Sequence, residues 1–391
     1  MKILQVLPHF SHRPLSLGSG VVHVVYYISN ELARRGHEVT ICTSSACDII
    51  GRRQIHGFSN PVMLDDVKID YFPFRVSFDH FYLTPKLIPF IRDHINDFDI
   101  AHLHDIRCFQ SFVVYHYAMK HALPYVLQPH GSYLGSFDGS KLKWMLDSLL
   151  SSRVLKHANR IITLTKTEAE YYRTHGISAK QIDIIDNGVD LFRYQSTSRS
   201  GEFRKKFSIR EEDRIILYVG RIASTKGLDF LVDAFSELLH ELGNVKLVLV
   251  GPDAGYVRKL QQQINDLHIQ EGVLFTGPID ETDKIRAYVD ADVLVTPSYT
   301  GFPLTFLEAC ACGTPIIATH KGDALDWIDE NVGYVINYNR TDLNKAITRI
   351  LFDQDLKAKF KTNCRRLVED RFAWPNIVDR IEEVYRRAVC E

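Results

Sequence analysis

The sequence predicts an α/β protein with two doubly wound parallel-sheet domains. Short apolar strands alternate with segments whose apolar residues recur at helical spacing, and this alternation runs through the chain twice. A chain of 391 residues also exceeds the length that a single hydrophobic core normally accommodates. Strands that read as continuous apolar runs are typical of parallel sheets with helices on both faces. We therefore expect two Rossmann-like domains facing a central cleft.

The first domain is expected over residues 1–195. An apolar strand (2–8), an amphipathic helix (21–36) that ends at a glycine and a second strand (37–43) form a βαβ unit. Further strands of this domain are predicted at DIAHLHD (99–105), PYVLQPH (124–130), NRIITLT (159–165) and IDIID (182–186).

The second domain is expected over residues 196–373, after a polar and basic connector (187–207). The alternation of strands and helices restarts there. Its strands are predicted at RIILYVG (214–220), VKLVLVG (245–251), VLFTG (273–277), ADVLVTP (291–297) and PIIAT (315–319). An amphipathic helix over 375–391 ends the sequence.

Composition excludes several classes of protein. Hydrophobic residues make up 45% and charged residues 24%, and the net charge of -1 gives no basic field for nucleic acid. Seven cysteines without a CxxC pair are typical of small buried side chains in a reducing compartment, not of a disulfide framework or zinc site. Because no signal-peptide pattern and no apolar run of about 20 residues is found, we expect a cytoplasmic protein, at most bound to a membrane face.

One segment contains a single carboxylate in apolar surroundings. VLVTPSYTGFPLTFLEACACGTPIIATH (293–320) holds Glu308 and no Asp, Lys or Arg, so it supplies no local charged partner. A buried carboxylate needs a partner. Vicinal hydroxyls such as those of a ribose would supply one, and the absence of a local cation favours this interpretation. The alternative is a buried glutamate that other protein groups satisfy.

The same segment predicts an anion site at a helix start. Gly301 permits a tight turn after the strand, and a helix is expected to begin at Phe302 or Pro303. The free amides of Leu304 and Thr305 would then face an anion at the carboxyl end of a parallel strand.

A second motif, GRIASTKG (220–227), places two cations at a strand end. Arg221 and Lys226 suit a diphosphate, because the guanidinium binds two oxygens while the ammonium acts as a point charge. Gly220 and Gly227 allow close backbone approach. A solvated basic loop is the alternative.

Histidines at strand ends of the first domain are further candidates. His130 in QPHGSY would face the cleft, and His104 with Asp105 in HLHD is a weaker candidate for the acceptor side. Hydrogen-bonded structural residues are the alternative for all three. Gly20 ends a GSG loop that lacks the third glycine of a dinucleotide fingerprint. It therefore favours close ligand approach over a nicotinamide cofactor.

A metal site is not expected. The Asp-x-Asp pairs at 97/99 and 290/292 each precede a strand, where an aspartate caps or turns the chain.

This set of motifs resembles the GT-B glycosyltransferases, and within them the family-four retaining enzymes (glycosyl transferases group 1). The segments that match, in the family's order, are GSGVVHVVYYISNELARRGHEVTICT, DIAHLHD, QPHGSY, NGVD, VGRIASTKG, VLFTGPI, GFPLTFLEACACGTPII and FAWPNIVDRIEEVYRRAV. The last of these resembles the family's final helix, which implies that residues 374–391 cross back to the first domain.

The resemblance implies transfer of a sugar from a nucleotide diphosphate sugar, UDP- or GDP-linked, to a hydroxyl acceptor with retention of configuration. The acceptor class is left open between a glycan, a lipid-linked sugar and a small molecule. By the resemblance, Arg221 and Lys226 neutralise the diphosphate, Glu308 holds the ribose and His130 lies beside the donor sugar. Gly20, Gly220, Thr300 and residues 301–305 would complete the donor site, with no metal and no cofactor.

One departure from the family leaves alternatives open. The family carries a second glutamate, separated by seven intervening residues from the one matched by Glu308, and Thr300 stands at that position instead. A catalytically weakened binding or partner subunit is one alternative, and a sugar-nucleotide epimerase is another. Residues 140–160 mix basic with apolar side chains, which predicts either peripheral membrane contact or a core helix with a basic face.

Overall fold

The computed structural model describes residues 1–11, 20–46, 60–78, 81–131, 150–195, 201–299, 301–321 and 326–390. The chain divides into two units, one formed by Met1–Asn187 with Trp374–Glu391 and the other by Gly188–Ala373. The predicted class, α/β with two mainly parallel sheets, is confirmed.

The change from one unit to the other occurs at residue 188, earlier than the boundary predicted at 195/196. The Val189 amide donates to the Phe372 carbonyl oxygen at 2.8 Å, within the second unit. The Tyr194 hydroxyl donates to a Glu281 oxygen at 3.2 Å, and Arg193 lies 3.7 Å from the same carboxylate. These contacts place residues 188–195 with the second unit.

The first unit contains an eight-stranded sheet. Over the described residues the unit has eight strands in this sheet and two in a separate hairpin. They are β1 (Lys2–His9), β2 (Glu38–Ser44), β3 (Val62–Leu64), β4 (Val67–Phe72), β5 (Val76–Phe78), β6 (Phe81–Leu83), β7 (Ile100–His104), β8 (Tyr125–Gln128), β9 (Arg160–Thr163) and β10 (Ile182–Ile184). The order in the main sheet is β10-β9-β8-β7-β1-β2-β4-β3, and β5 pairs with β6 in a separate two-stranded sheet. The sheet is parallel except for β3, which pairs antiparallel with β4 across the two-residue turn at 65–66.

Helices cover the first sheet as its alternating pattern predicts. They are α1 (Gly20–Arg34), α2 (Leu87–His94), α3 (Phe109–His121), α4 (residues 150–156) and α5 (Lys166–Thr174). In α1 the residues Val22, Val25, Ile28 and Leu32 recur at helical spacing, and all four are buried in the core. In α5 the Thr165 hydroxyl accepts the Glu168 amide at 3.0 Å and so caps the helix start.

The second unit contains a six-stranded parallel sheet. Its strands are β11 (Arg214–Val219), β12 (Val245–Val250), β13 (Val273–Gly277), β14 (Val293–Thr296), β15 (Ile316–Thr319) and β16 (Gly333–Ile336), in the order β13-β12-β11-β14-β15-β16. Its helices are α6 (Leu191–Gln195), α7 (Glu202–Lys206), α8 (Leu228–Leu242), α9 (Val257–Asp266), α10 (Glu281–Asp290), α11 (Leu304–Cys312), α12 (Arg340–Phe352) and α13 (Gln354–Leu367).

The last helix, α14 (Trp374–Cys390), returns to the first unit. Its buried face, which includes Ile381 and Tyr385, joins the core formed around α1. The Arg35 guanidinium after α1 donates to Asp379 at 2.6 Å and to Glu382 at 3.0 Å, which holds the two helices together. Within the described ranges, none of the helices has the length and apolar character that crossing a membrane requires.

Two glycines meet at the carboxyl ends of β11 and β12, next to Arg221. The Gly220 amide donates to the Val250 carbonyl oxygen, and the Gly251 amide donates to the Gly277 carbonyl oxygen, both at 3.0 Å. Gly251 has φ 137°, and a Cβ added to it would lie 2.0 Å from the Gly220 carbonyl oxygen. The backbone can follow this path only without a side chain at 251.

We expect Gly251→Ala to destabilise the second unit by about 3 kcal/mol or more, because the new methyl overlaps backbone that cannot rotate away. Gly255→Ala is the matched control, since Gly255 has φ 86° and no atom lies within 4 Å of its added Cβ. Its cost should be about 1–2 kcal/mol. Urea unfolding of both variants measures the difference, and equal losses would contradict the close contact.

Candidate active site

Arg221 and Lys226 lie in the loop that joins β11 to α8. After Arg221 the chain makes a 3₁₀ turn over Ser224–Lys226, and Gly227 then caps α8 with φ 66°. A Cβ on Gly227 would lie 3.2 Å from the Pro297 Cβ and 2.8 Å from the Tyr338 hydroxyl. Because Pro297 directly follows β14, the loop packs against the end of the neighbouring strand.

The two cations of this loop lie close together without a described counter-charge. Burial, and next the Arg221 charge, lower the pKa of the Lys226 ammonium below its usual value. Within the described residues neither side chain forms an ion pair with a carboxylate. The Tyr218 hydroxyl donates to the Arg221 carbonyl oxygen at 3.0 Å, which holds the backbone there. A bound anion would relieve both the repulsion and the burial cost.

The helix α11 starts from the end of β14, as predicted, but one or two residues later. Pro303 is the N-cap with φ −77° and ψ 112°, and the first helical residue is Leu304. The prediction of a start at Phe302 or Pro303 was therefore wrong, because the backbone of Pro303 is still extended. The helix start has no side-chain cap, and Leu304 and Thr305 are half-buried. Their amides remain available to an anion.

The predicted donor-binding residues before the start of α11 differ in their surroundings. The Phe302 ring is buried against Trp327 and Phe372, with centroids 6.1 and 5.9 Å apart. The ring is therefore part of an aromatic core cluster, and the role of Phe302 at the donor site stays a prediction. Thr300 lies outside the described residues. Gly301 has φ 67° and open space around its added Cβ.

Glu308 has protein partners. The Lys284 ammonium donates to Oε1 at 2.9 Å, and the Tyr288 hydroxyl donates to Oε2 at 2.7 Å. Burial alone would raise the pKa of Glu308, but the Lys284 charge and these hydrogen bonds outweigh burial, so the pKa is lowered. The interpretation that a missing partner favours a ligand was therefore wrong, because the partners come from α10.

The sequence analysis missed the residues around Glu308. Lys284 and Tyr288 are four residues apart and so share one face of α10. Lys284 also pairs with Glu281 at 3.1 Å, and Tyr194 from α6 donates to that second carboxylate. Spacing reveals the shared face but does not reveal that α10 packs on α11.

Glu308 retains the capacity to bind a ligand. An ionised carboxylate has about four acceptor positions. Lys284 and Tyr288 occupy two of them, and the Tyr194 hydroxyl also interacts with this carboxylate and helps to lower its pKa. The side chain lies one turn inside α11, so its distance along the helix from the amides of Leu304 and Thr305 is about 5 Å. The two protein donors fix the carboxylate in one orientation.

In the first unit, His130 lies at the end of a buried hydrogen-bonded chain. His104 Nδ1 lies 2.9 Å from His130 Nε2, and His104 Nε2 lies 2.6 Å from Gln5 Oε1. His130 has φ 55° and is half-buried, and burial lowers its pKa to about 3. The ring is therefore neutral at ordinary pH.

His104 and Asp105 differ in their surroundings. His104 is fully buried, and both ring nitrogens bond to other side chains. Both ring nitrogens are thus already engaged, and the place of His104 on the acceptor side stays a prediction. Asp105 has φ 87° and accepts the Arg107 amide at 3.0 Å, so it organises the turn after β7. Gly20 is the exposed first residue of α1.

The aspartate pairs act in the structure as caps and ion-pair partners. Asp290 accepts the amides of Gly201 and Phe203 at the start of α7, and Asp292 pairs with Lys357. Over the part of the chain that the structure describes, no group of three or more His, Cys, Asp or Glu side chains is arranged to hold a metal ion.

Comparisons with known proteins agree with this arrangement. The profile described as Glycosyltransferase Family 4 matches residues 18–193, and the profile described as Glycosyl transferases group 1 matches residues 200–367. An uncharacterised glycosyltransferase of Methanocaldococcus jannaschii is 26% identical, with 100% of this chain and 99% of the relative covered. A D-inositol 3-phosphate glycosyltransferase of Mycobacteroides abscessus is 30% identical, but the match covers 65% of this chain and 57% of the relative.

Solved structures show the same fold. Sucrose-phosphate synthase from Thermosynechococcus elongatus has a TM-score of 0.77 at 22% identity, with 100% of both chains covered. Anabaena HepE in complex with UDP-glucose has a TM-score of 0.74 at 18% identity, with 99% of both chains covered. Two family profiles that together span most of the chain, one relative that matches over full length and the shared fold of the solved structures place this chain among the glycosyltransferases of the GT-B fold, similar to the family-four enzymes.

Proposed function

We propose that this protein transfers a sugar from a nucleotide diphosphate sugar to a hydroxyl acceptor, with retention of configuration and without a bound metal ion. The observation that carries the proposal is the pair of cations, Arg221 and Lys226, at the carboxyl end of β11. Their mutual repulsion and the partial burial of Lys226 favour a site that is completed by an anion.

A diphosphate supplies the negative charge that would compensate the two cations of this loop. The departing nucleotide diphosphate gains negative charge in the transition state, and fixed cations stabilise it most strongly there. The amides of Leu304 and Thr305 add partial positive charge at the start of α11, which follows the neighbouring strand β14. These groups take the electrostatic part that a divalent ion plays in other transferases.

The proposed chemistry is a front-face substitution. The bond between the anomeric carbon and the diphosphate oxygen breaks, and the acceptor oxygen forms a new bond on the same face of the sugar. The acceptor's proton passes to the departing phosphate oxygen. Retention rests on the resemblance to the family-four enzymes.

Glu308 is proposed to accept hydrogen bonds from the ribose hydroxyls. Its carboxylate is ionised and is oriented by Lys284 and Tyr288, so it enters binding without reorganisation. The structure of HepE with UDP-glucose supports a nucleotide sugar as the donor class.

A weakened enzyme is the second candidate, for which Thr300 is the specific observation. Threonine bonds a sugar hydroxyl but carries no charge, so a donor contact that the family makes through glutamate is altered. Such a protein would bind the nucleotide and turn over slowly. Membrane contact through 140–160 stays a prediction, because residues 140–149 lie outside the described ranges.

The donor class is tested by thermal melting with a panel of UDP-, GDP- and ADP-sugars. We expect one nucleotide to raise the melting temperature, since ligand at 100 times its Kd stabilises by about 2.7 kcal/mol. The same donor should be hydrolysed slowly in water, with the released nucleotide measured by chromatography. Binding without hydrolysis would favour the weakened enzyme, and the absence of both would contradict the proposal.

Lys226→Met should abolish most donor turnover without lowering the stability of the free protein. The pKa of Lys226 is lowered on folding, so its charged form costs folding free energy below that pKa, and the neutral methionine removes this cost. We expect the melting temperature at pH 7 to be unchanged or higher. Turnover should fall on the order of 10²–10³.

Lys226→Arg is the matched control, since arginine keeps its charge at high pH. In the wild type the affinity for UDP should decrease as the pH rises through the lowered pKa of Lys226, because the ammonium loses its proton. Titration calorimetry across this range should show a weaker decrease in the arginine variant. Identical pH profiles would exclude Lys226 as a phosphate ligand.

Glu308→Gln separates a ribose contact from a purely structural glutamate. We expect UDP to lose about tenfold or more in affinity while inorganic pyrophosphate, which has no ribose, binds as before. Lys284→Met is the comparison variant: it removes one of the donors that orient Glu308 and lowers the melting temperature, so it should weaken UDP binding less than Glu308→Gln does and leave pyrophosphate binding unchanged. Equal losses for the two ligands in Glu308→Gln would show that Glu308 acts only within the protein.

A further inference from the structure

A chain of hydrogen bonds runs from the C-terminal helix to His130 inside the first unit. Gln5 Nε2 donates to the Tyr385 hydroxyl at 3.2 Å, and Gln5 Oε1 lies 2.6 Å from His104 Nε2. His104 Nδ1 then lies 2.9 Å from His130 Nε2. Gln5, His104 and Tyr385 have no solvent-exposed surface. Water therefore cannot replace any of these partners without disrupting the core.

The chemistry of these groups determines which atom donates and which accepts in each hydrogen bond. The amide oxygen of Gln5 can only accept, so His104 Nε2 must carry a proton. Burial, and next the neighbouring His102 and His130, lower the pKa of His104 well below its usual value, so its ring is neutral. A neutral imidazole has one N–H group, and His104 Nδ1 is therefore an acceptor. His130 Nε2 must then be the donor.

The backbone around His130 is held independently of its ring. His130 and Gly131 both have positive φ, 55° and 80°. The Gly131 amide donates to Glu168 Oε1 at 2.9 Å, and the other oxygen of this carboxylate accepts the Leu164 amide at 2.7 Å. The turn and the ring therefore each have their own support.

We propose that Gln5 and His104 are positioning residues that lock His130 as the neutral Nε2–H tautomer. His130 Nδ1 is then a hydrogen-bond acceptor for a hydroxyl group of the bound sugar, an inference that rests on the proposed function. In the described part of the chain no protein hydrogen bond engages Nδ1. The ring therefore presents a lone pair, not an N–H group, to its ligand. Hydroxyl groups that can donate fit this atom.

The test is two-bond ¹H–¹⁵N NMR of the histidine rings in the full chain, with the His130 signals identified by their loss in His130→Ala. We expect the nitrogen shifts of the wild type to show a protonated Nε2 and an unprotonated Nδ1. Gln5→Met removes the acceptor at a similar side-chain volume, and His130 should then populate both tautomers. The kcat/KM of the Gln5→Met protein for donor hydrolysis should fall about tenfold, because one hydrogen bond to the sugar is lost.

His102→Phe is the matched control. This buried ring packs on His104 with centroids 4.0 Å apart, and its Nδ1 lies 2.7 Å from the Tyr385 hydroxyl. Within the described residues it makes no hydrogen bond to Gln5, His104 or His130, so the part of the chain from Gln5 to His130 keeps its own partners. In the His102→Phe protein the ¹⁵N shifts of His130 should match those of the wild type, and kcat/KM should stay within about twofold of the wild-type value. This should hold even if the melting temperature falls as much as in Gln5→Met.

Two results would overturn the proposal. One is a protonated Nδ1 on His130 in the wild type, and the other is a Gln5→Met variant with unchanged tautomer and unchanged kcat/KM. If no donor is hydrolysed by any of these proteins, the proposed function fails, while the nitrogen shifts still decide the role of Gln5 and His104.

Discussion

Two like charges in one short loop, one of them partly buried, are the constraint on which this account depends. Arg221 and Lys226 occupy one short loop after β11, and the pKa of Lys226 is lowered by burial and by its neighbour. Glycines shape the backbone at this end of the sheet: Gly251 leaves no room for a side chain against Gly220, and Gly227 adopts φ 66° close to Pro297. The protein thus maintains an arrangement that is unfavourable by itself. An anionic ligand converts it into a favourable one.

The other candidate groups are oriented by buried partners that lie far away in the sequence. Glu308 on α11 is held by Lys284 and Tyr288 on α10, and His130 is held by His104 on β7. Each candidate side chain therefore enters binding with its charge state and orientation already set, which lowers the entropic cost of recognition. Electrostatic preorganisation of this kind is the main source of rate acceleration in many enzymes.

The sequence alone predicted the elements that are determined by local residue patterns. The alternation of apolar strands and amphipathic helices indicated both sheets, and Arg221 and Lys226 fell in the loop where the GR(x)4KG spacing placed them. Strands β3, β5, β6 and β16 were missed because strands of three or four residues carry too little periodicity. The six-residue β4 (VKIDYF) was missed although its apolar and polar residues alternate as in a strand. The partners of Glu308 and the burial of His104 were missed for another reason: both depend on which elements pack together. Gln5 lies in the apolar interior of strand β1, opposite His102. A polar residue at such a position indicates a buried polar partner, and this pattern could have predicted the hydrogen bond to His104.

The most direct test of the central claim is a crystal structure of the protein with UDP bound. The account predicts that oxygens of the diphosphate lie about 3 Å from the Lys226 ammonium and the Arg221 guanidinium, with a further oxygen facing the amides of Leu304 and Thr305. Phosphates bound elsewhere, with the loop from 221 to 226 free of ligand, would contradict it.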